Sequence, residues 1–299
     1  MAVGRTEGMK VGVAGLGLMG SGIAERLIGT GHDVWVYNRD RSKAKRFFKS
    51  ARIAKSPTEL AQNCGLVITV VTNFDAVRDV LFGKAGIAES KCRPIVADAS
   101  TISPMQSEQC AQELRRRGIE MLGMPVMGGP AAAKAGELVP MVAGSKKAFA
   151  KARPVFEKIG KQVFYISEKD GAANAVKLAL NLNIALIATA VSEGITLARG
   201  AGIDPSVFVN ILNSTYFKTG LSEKKGPMMI KGDFTPSFHL KNMLKDLELA
   251  SATAQACGIT LPTTALVQQV FRVASNSGYS EQDYTAICAF LTKINGMEK

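Results

Sequence analysis

Apolar positions in the first 165 residues fall in short runs separated by polar, glycine-bearing breaks. Residues 9–15, MKVGVAG, run apolar into a glycine and predict a first strand. A helix is expected from about Met19 to Thr30, closing on Gly31, and then a second strand at 33–38, DVWVYN. The same rhythm predicts a helix near 41–48, a short strand near 53, and a helix that Ser56 caps ahead of Pro57. Beyond these come a strand at 66–72, a helix from Asp75, a strand at 94–100, a capped helix over SPMQSEQCAQELRRRG, and a strand over IEMLGMPV. Buried strands alternating with helices of 10 to 15 residues predict an α/β fold with a doubly wound parallel sheet.

The pattern changes after QVFYIS. A long apolar helix is expected from Gly171 to Gly200, and further helices near 205–214, 221–231, 239–257 and 262–276, with a last one from about Glu281. No strand signal occurs in this half, so the second domain reads as all-α. The division is placed at 1–167 and 168–299, with the long helix as the joint.

Composition narrows the chemistry. The chain has 299 residues, 46% hydrophobic and 21% charged, with no stretch of about 18 uninterrupted apolar residues and no secretory leader pattern, so a cytoplasmic location and no membrane partner are expected. The five cysteines are odd in number and never spaced C-x-x-C, which points to reduced thiols. His32 and His239 are the only histidines and neither has ligand-spaced neighbours, so neither a metal site nor a Ser-His-Asp arrangement is expected. A net charge of +12 invites anionic partners. The cations are dispersed, however, without interleaved aromatics, and nucleic acid is not the expected partner.

Two features carry chemistry. VGVAGLGLMG sets Gly15, Gly17 and Gly20 in G-x-G-x-x-G spacing between a predicted strand and helix, the arrangement of a Rossmann-type dinucleotide site. At the end of the second strand an NAD site usually has an acid; here the chain reads Asn38, Arg39, Asp40, with Lys43 one turn on. A guanidinium there would pair with a 2′-phosphate, so NADP(H) is the expected cofactor and NAD(H) the alternative. The second feature is GAANAVKLALNLN, where Asn174, Lys177 and Asn181 share one face of an otherwise apolar helix. On that segment alone, a lysine snorkelling from the helix edge would account for it.

Four spaced stretches together resemble the β-hydroxyacid dehydrogenase family, which includes 3-hydroxyisobutyrate dehydrogenases and glyoxylate/succinic semialdehyde reductases. They are VGVAGLGLMGSGIAERL, PVMGGPAAAKAGEL, GAANAVKLALNLN and FHLKNMLKDLELA. The resemblance implies that Lys177 is the catalytic acid/base and that Asn181 positions it or the substrate. It implies a substrate pocket from Ser100, Thr101, Met127, Gly128, Gly129 and Phe238. It implies a cofactor set of Gly15, Leu16, Gly17, Leu18, Met19, Gly20, Asn38, Arg39, Lys43, Val71, Thr72, Asn73, Thr101, Lys245 and Asp246. Lys245 reads equally as an ordinary helix charge beside Asp246. One departure stands out: where the family pattern reads D-A-P-V-S-G-G, this chain has Gly123, Met124, Pro125, Val126, Met127, Gly128, Gly129. Met127 has no donor, which suggests a less polar substrate or one held by Lys177, Asn181 and backbone amides.

The expected activity is NADPH-dependent interconversion of a small aldehyde or keto acid and its hydroxyacid, in a homodimer or homotetramer. Imine reduction is one alternative, and a non-catalytic dinucleotide-binding oligomeric module is another.

Overall fold

The computed structural model describes residues 8–297. The chain divides into two compact units, Met1–Lys177 and Leu178–Lys299.

In the first unit β1 (Val11–Ala14) leads into α1 (Leu18–Gly29), and β2 (Val34–Tyr37) into a 3₁₀ helix at Arg41–Phe47. Next come β3 (Arg52–Ile53), α2 (Pro57–Asn63), β4 (Leu66–Thr69), α3 (Phe74–Phe82), β5 (Ile95–Asp98), α4 (Pro104–Arg116) and β6 (Met121–Gly123). These six strands pair in parallel in the order β3-β2-β1-β4-β5-β6. Every residue of β1, β4 and β5 is buried, because helices cover both faces. Ile23 and Leu27 of α1 pack on one face. Leu60, Leu81 and Leu114 pack on the other, from α2, α3 and α4. The doubly wound sheet is the one that the hydropathy pattern predicts.

Local chemistry explains where the elements depart from expectation. The segment 41–47 is 3₁₀ rather than α-helical; three residues per turn brings Ala44 and Phe47 to the same buried side. β4 ends at Thr69, since the Val71 N–H donates to Ser100 Oγ at 3.0 Å instead of joining a strand. The expected strand over IEMLGMPV breaks at Met124–Pro125, where proline offers no N–H. Its second piece, β7 (Val126–Met127), pairs antiparallel with β8 (Val139–Ala143), which also runs antiparallel to β6. Between them lies α5 (Pro130–Ala135); α6 (Lys146–Ile159) and β9 (Phe164–Ser167) follow, with β9 parallel to β8. An antiparallel strand therefore extends an otherwise parallel sheet.

The long helix α7 spans Ala172–Gly200. The unit boundary falls inside it because its first turn belongs to the first unit. There Ala172, Ala173 and Val176 pack with Met127, Met141 and Ala143. By length and composition α7 could cross a membrane, with a mean hydropathy of 1.6. Its inward positions, however, carry polar groups: Asn174, Asn181, Thr189 and Ser192 are all buried. The second unit continues with α8 (Pro205–Ser214), α9 (Gly220–Lys231), α10 (Leu240–Ala256), α11 (Pro262–Ala274) and α12 (Ile287–Ile294) around Leu240, Leu247, Phe271 and Ile287. Among its described residues, strand pairing is limited to an isolated bridge between His239 and Asp283. The last helix begins later than Glu281. A turn with Gly278 at φ +96° and the capping of Thr285 by Asp283 intervene first.

Candidate active site

The glycine loop is built from what side chains would obstruct. Gly15 sits at φ +100°, and a Cβ there would run into the Val70 carbonyl; one on Gly20 would strike the Gly15 carbonyl. Gly17 is the N-cap of α1 and has no side-chain cap, so the first N–H groups of the helix have no intrahelical acceptor and face outward with the positive end of the dipole. A pyrophosphate suits that opening. Gly15, Gly17, Asn38, Arg39, Lys43, Val71 and Thr72 all line one cleft of about 260 Å³ at the carboxyl ends of β1, β2 and β4. The side chain of Leu18 is largely exposed beside the loop, and Met19 is half-buried.

Three members of the expected cofactor set have internal duties. Leu16 is buried, and its N–H donates to Asn38 Oδ1 at 2.8 Å, while Asn38 Nδ2 donates to the Asp40 carbonyl at 2.9 Å. Asn38 thus clips the glycine loop to the end of β2. Asn73 caps α3 by accepting from the Ala76 N–H.

Asp40, the acid that follows Arg39, is also spoken for. Its carboxylate accepts from the Ser42 hydroxyl at 2.7 Å and the Ser42 N–H at 3.0 Å, and these bonds hold its carboxyl below the usual range. Arg39 and Lys43 are exposed and form no ion pair within 4 Å among the described residues. Ser100 is buried; its N–H donates to Asp98 Oδ1 at 3.3 Å and its Oγ takes the Val71 N–H. Thr69 Oγ1 donates to the same Asp98 oxygen at 2.6 Å, so the two loops below the cleft share one buried carboxylate. Thr101 is half-buried beside Ser100.

Lys177 is half-buried, and its ammonium donates to the Val126 carbonyl at 2.9 Å and to Met127 Sδ at 3.1 Å. Two close approaches position it. Gly171 at φ +79° lets the start of α7 abut the Pro104 carbonyl, and the Asn174 amide donates to the Ile102 carbonyl at 3.4 Å. The strand bearing Met127 then turns through Gly128, whose φ of +115° and proximity to Leu138 and Ala132 leave no room for a side chain; Gly129 caps α5.

In the second unit Asn181, Lys245 and Asp246 come together. Asn181 Nδ2 donates to Asp246 Oδ2 at 2.5 Å, and Lys245 Nζ pairs with Asp246 Oδ1 at 3.0 Å. Asp246 is 1% exposed, so both partners compensate a buried charge. Phe238 lies edge-on to Tyr284 with its N–H 3.3 Å from Asp283 Oδ2.

Sequence reasoning missed two residues that hold these groups in place. Gly22 lets α5 approach α1, since a Cβ there would lie 2.8 Å from Ala133 Cβ; this seats the Gly128–Gly129 turn against the helix of the glycine loop. Its sign was a second small residue two positions after Gly20. Asp283, 0% exposed, accepts from the Ser237 N–H and hydroxyl, the Thr285 hydroxyl and Lys225 Nζ, and so anchors the strap that carries Phe238. Burial raises its carboxyl, but these donors outweigh burial and hold it below the usual range. Nothing in the local pattern marks an acid 45 residues downstream as that anchor. Among the described residues there is no cluster of metal-ligating side chains.

Residues 10–167 match the family described as the NAD binding domain of 6-phosphogluconate dehydrogenase. Residues 171–291 match that described as NAD-binding of NADP-dependent 3-hydroxyisobutyrate dehydrogenase. The chain is 31% identical over 295 residues to glyoxylate/succinic semialdehyde reductase 2, chloroplastic, of Arabidopsis thaliana, covering 97% of this chain and 81% of that one. It is 32% identical over 286 residues to the cytokine-like nuclear factor N-PAC of Homo sapiens, covering 93% of this chain and 50% of that protein. The crystal structure of 3-hydroxyisobutyrate dehydrogenase from Salmonella typhimurium superposes with a TM-score of 0.86 at 31% identity, covering 94% and 99% of the two chains. The backbone-lined cleft after β1, the lysine at the start of α7 and these likenesses agree: the chain belongs to the β-hydroxyacid dehydrogenase family, whose proteins use a nicotinamide dinucleotide.

Proposed function

We propose that the protein is an NADPH-preferring reductase that interconverts a small aldehyde or keto acid and the corresponding hydroxyacid, with Lys177 as general acid and base. The observation that carries this reading is the seating of the Lys177 ammonium on two neutral acceptors, the Val126 carbonyl and the Met127 sulfur, beside the paired glycines. A nicotinamide dinucleotide held at the cleft lined by Gly15, Gly17 and Val71 would supply hydride to the carbonyl carbon. Negative charge then grows on the carbonyl oxygen, and Lys177 Nζ stabilises it and gives up a proton to it. These two acceptors orient the ammonium toward the strand that ends at the paired glycines. In the oxidative direction the neutral amine takes the hydroxyl proton. Asn181 is proposed to position the substrate or Lys177; its bond to Asp246 fixes which way its amide points.

The NADPH preference is supported by Arg39 and Lys43 standing exposed at the cleft while Asp40 is occupied as a cap. Leu180 and Leu197 on α7, with Val207 and Ile211 on α8, are exposed and support a homodimer or homotetramer. A cytoplasmic location completes the proposal.

A second reading, a dinucleotide-binding module without turnover, draws on the likeness to the nuclear factor N-PAC and on the +12 charge of the chain. One experiment separates them. NADPH oxidation is followed at 340 nm against succinic semialdehyde, glyoxylate, methylmalonate semialdehyde, a longer apolar aldehyde and a cyclic imine, with Lys177→Ala beside the wild type. Carbonyl turnover that falls at least ~100-fold without Lys177 is expected. Tight NADPH binding with no turnover would favour the module, and imine turnover indifferent to Lys177 would favour an imine reductase.

A further inference from the structure

Over the whole chain the cations are dispersed, but one surface of the first unit is organised differently. The 3₁₀ helix at Arg41–Phe47 sorts its side chains by threes, because residues i and i+3 eclipse in that geometry. One row, Ala44 and Phe47, is buried. The next holds Lys45 and Phe48, whose helical φ and ψ of −52° and −34° continue the row past the last helical residue. The third holds Lys43, Arg46 and Lys49. Arg46 is committed, with its guanidinium 2.9 Å from Glu25 and 4.8 Å from the centre of the Phe47 ring. Arg41, Lys43, Lys45 and Lys49 are exposed and form no ion pair within 4 Å among the described residues. Phe48 stands among them 80% exposed. Lys43 also lines the cofactor cleft; Arg41, Lys45, Phe48 and Lys49 do not.

A single exposed phenyl is common on a protein surface, and so are solvated lysines. Their juxtaposition selects one chemistry. Cations without counter-ions call for a chain of negative charges, and an open ring among them calls for a flat group carried by that same chain. A bilayer needs more apolar surface than one ring supplies. An acidic peptide would use the lysines and leave the ring in water. In a duplex the bases are stacked inside, out of reach of a ring. We propose that the face formed by Arg41, Lys45, Phe48 and Lys49 docks single-stranded nucleic acid, with phosphates on the cations and a base stacked on Phe48. This goes beyond the reductase reading and does not depend on it.

The test is the fluorescence anisotropy of a labelled oligouridylate of about 15 nucleotides, titrated with the full-length protein saturated with NADPH. Filling the cleft keeps the oligonucleotide out of it. Binding is expected to weaken with salt at a log–log slope near −2, about 0.7 for each of three phosphates. Phe48→Ala should weaken binding about 10-fold at an unchanged slope, and Phe48→Trp should stay within about twofold of wild type. Lys45→Ala combined with Lys49→Ala should reduce the slope by about 1.4. A duplex of the same length should bind at least ~5-fold less tightly, although it carries more charge. The substituted side chains are exposed, and circular dichroism checks the fold of each variant.

No binding at about 50 mM salt overturns the proposal. So does a Phe48→Ala affinity within about twofold of wild type, which leaves only diffuse attraction between opposite charges. A duplex bound as tightly as the single strand has the same meaning. Phosphatidylserine vesicles that bind more tightly than the oligonucleotide, and lose that binding in Phe48→Ala, would assign the face to a membrane instead. Anisotropy needs no turnover, so a protein that reduces no carbonyl would count against the reductase reading and leave this face to its own test.

Discussion

The two units of this chain handle charge in opposite ways. Residues 1–177 hold 27 Lys and Arg against 16 Asp and Glu, whereas residues 178–299 hold 10 against 9, so 11 of the 12 excess positive charges lie in the first. At the cleft of the first unit, Arg39 and Lys43 are left exposed, and Gly15 and Gly17 line it without side chains. In the second unit, Asp246 and Asp283 are buried and surrounded by donors. Charge in the first unit is available to a ligand, and charge in the second fixes the fold of the segments that carry Asn181 and Phe238. The contrast has one exception, since Asp98 of the first unit is also buried and ties two loops together through Thr69 and Ser100.

The sharpest way to break this comparison is through the main chain. Gly20→Ala puts a Cβ against the Gly15 carbonyl, so the loop must shift and the N–H groups of α1 lose their aim. Displacing several backbone contacts to a pyrophosphate should weaken NADPH binding at least ~100-fold, or about 3 kcal/mol. Calorimetric titration measures it. Affinity within threefold of wild type would mean that exposed cations, rather than the glycine loop, supply the binding.

A smaller effect is expected in the second unit from Asp283→Asn, which keeps the shape of the side chain and removes its charge. Losing a buried, charge-assisted set of bonds should cost about 2–3 kcal/mol. The cost is read from urea unfolding by far-ultraviolet circular dichroism, while Trp35, the sole tryptophan, lies on β2 and reports the first unit. The sign with pH follows from the lowered carboxyl of Asp283. Its stabilisation is fully present above the unfolded value of about 3.9 and is lost as pH falls through the lower folded value. The gap in Tm between wild type and Asp283→Asn should therefore hold from pH 7 down to about 4 and close below it. A gap that widens on acidification would show that the charge opposes folding.

How much of this was legible in the sequence differs by the range of the interactions. Most helices of the second domain and the parallel strands could be read because burial repeats at fixed periods and because caps such as Ser56 and Ser103 sit beside what they cap. The G-x-G-x-x-G loop could be read because its spacing falls between one strand and one helix, whereas Lys177 was singled out by resemblance, its own segment fitting a lysine at the helix edge equally well. The α5–β8–α6 stretch was not, since its short strands carry no period long enough to register and Pro125 splits one of them. The partners of the site residues were also hidden. That Asn38 serves the glycine loop, that Ser100 holds Val71, and that Asp283 holds the Phe238 strap are facts of tertiary approach across 22 to 46 residues. No local pattern encodes them.

The mildest test returns to the cleft and asks whether its exposed charge recognises or only surrounds. Arg39 lies at the end of β2, and the neighbouring acid is occupied by Ser42. Arg39→Asp would reverse the charge at that point without touching the glycine loop. If the guanidinium pairs with a 2′-phosphate, the ratio of kcat/KM for NADPH over NADH should fall at least ~10-fold, since a charge-assisted bond is worth about 1.5–3 kcal/mol. NADH itself should gain, because the new carboxylate can accept from a ribose 2′-hydroxyl. Lys43 remains in the variant, one turn along at the same cleft, so some preference for the phosphate should survive. Arg39→Asp combined with Lys43→Ala should then remove the rest. Selectivity that stays within twofold of wild type in the double variant would place these cations with the other dispersed charges of the first unit, and the difference between the two units would then be one of solubility rather than of recognition.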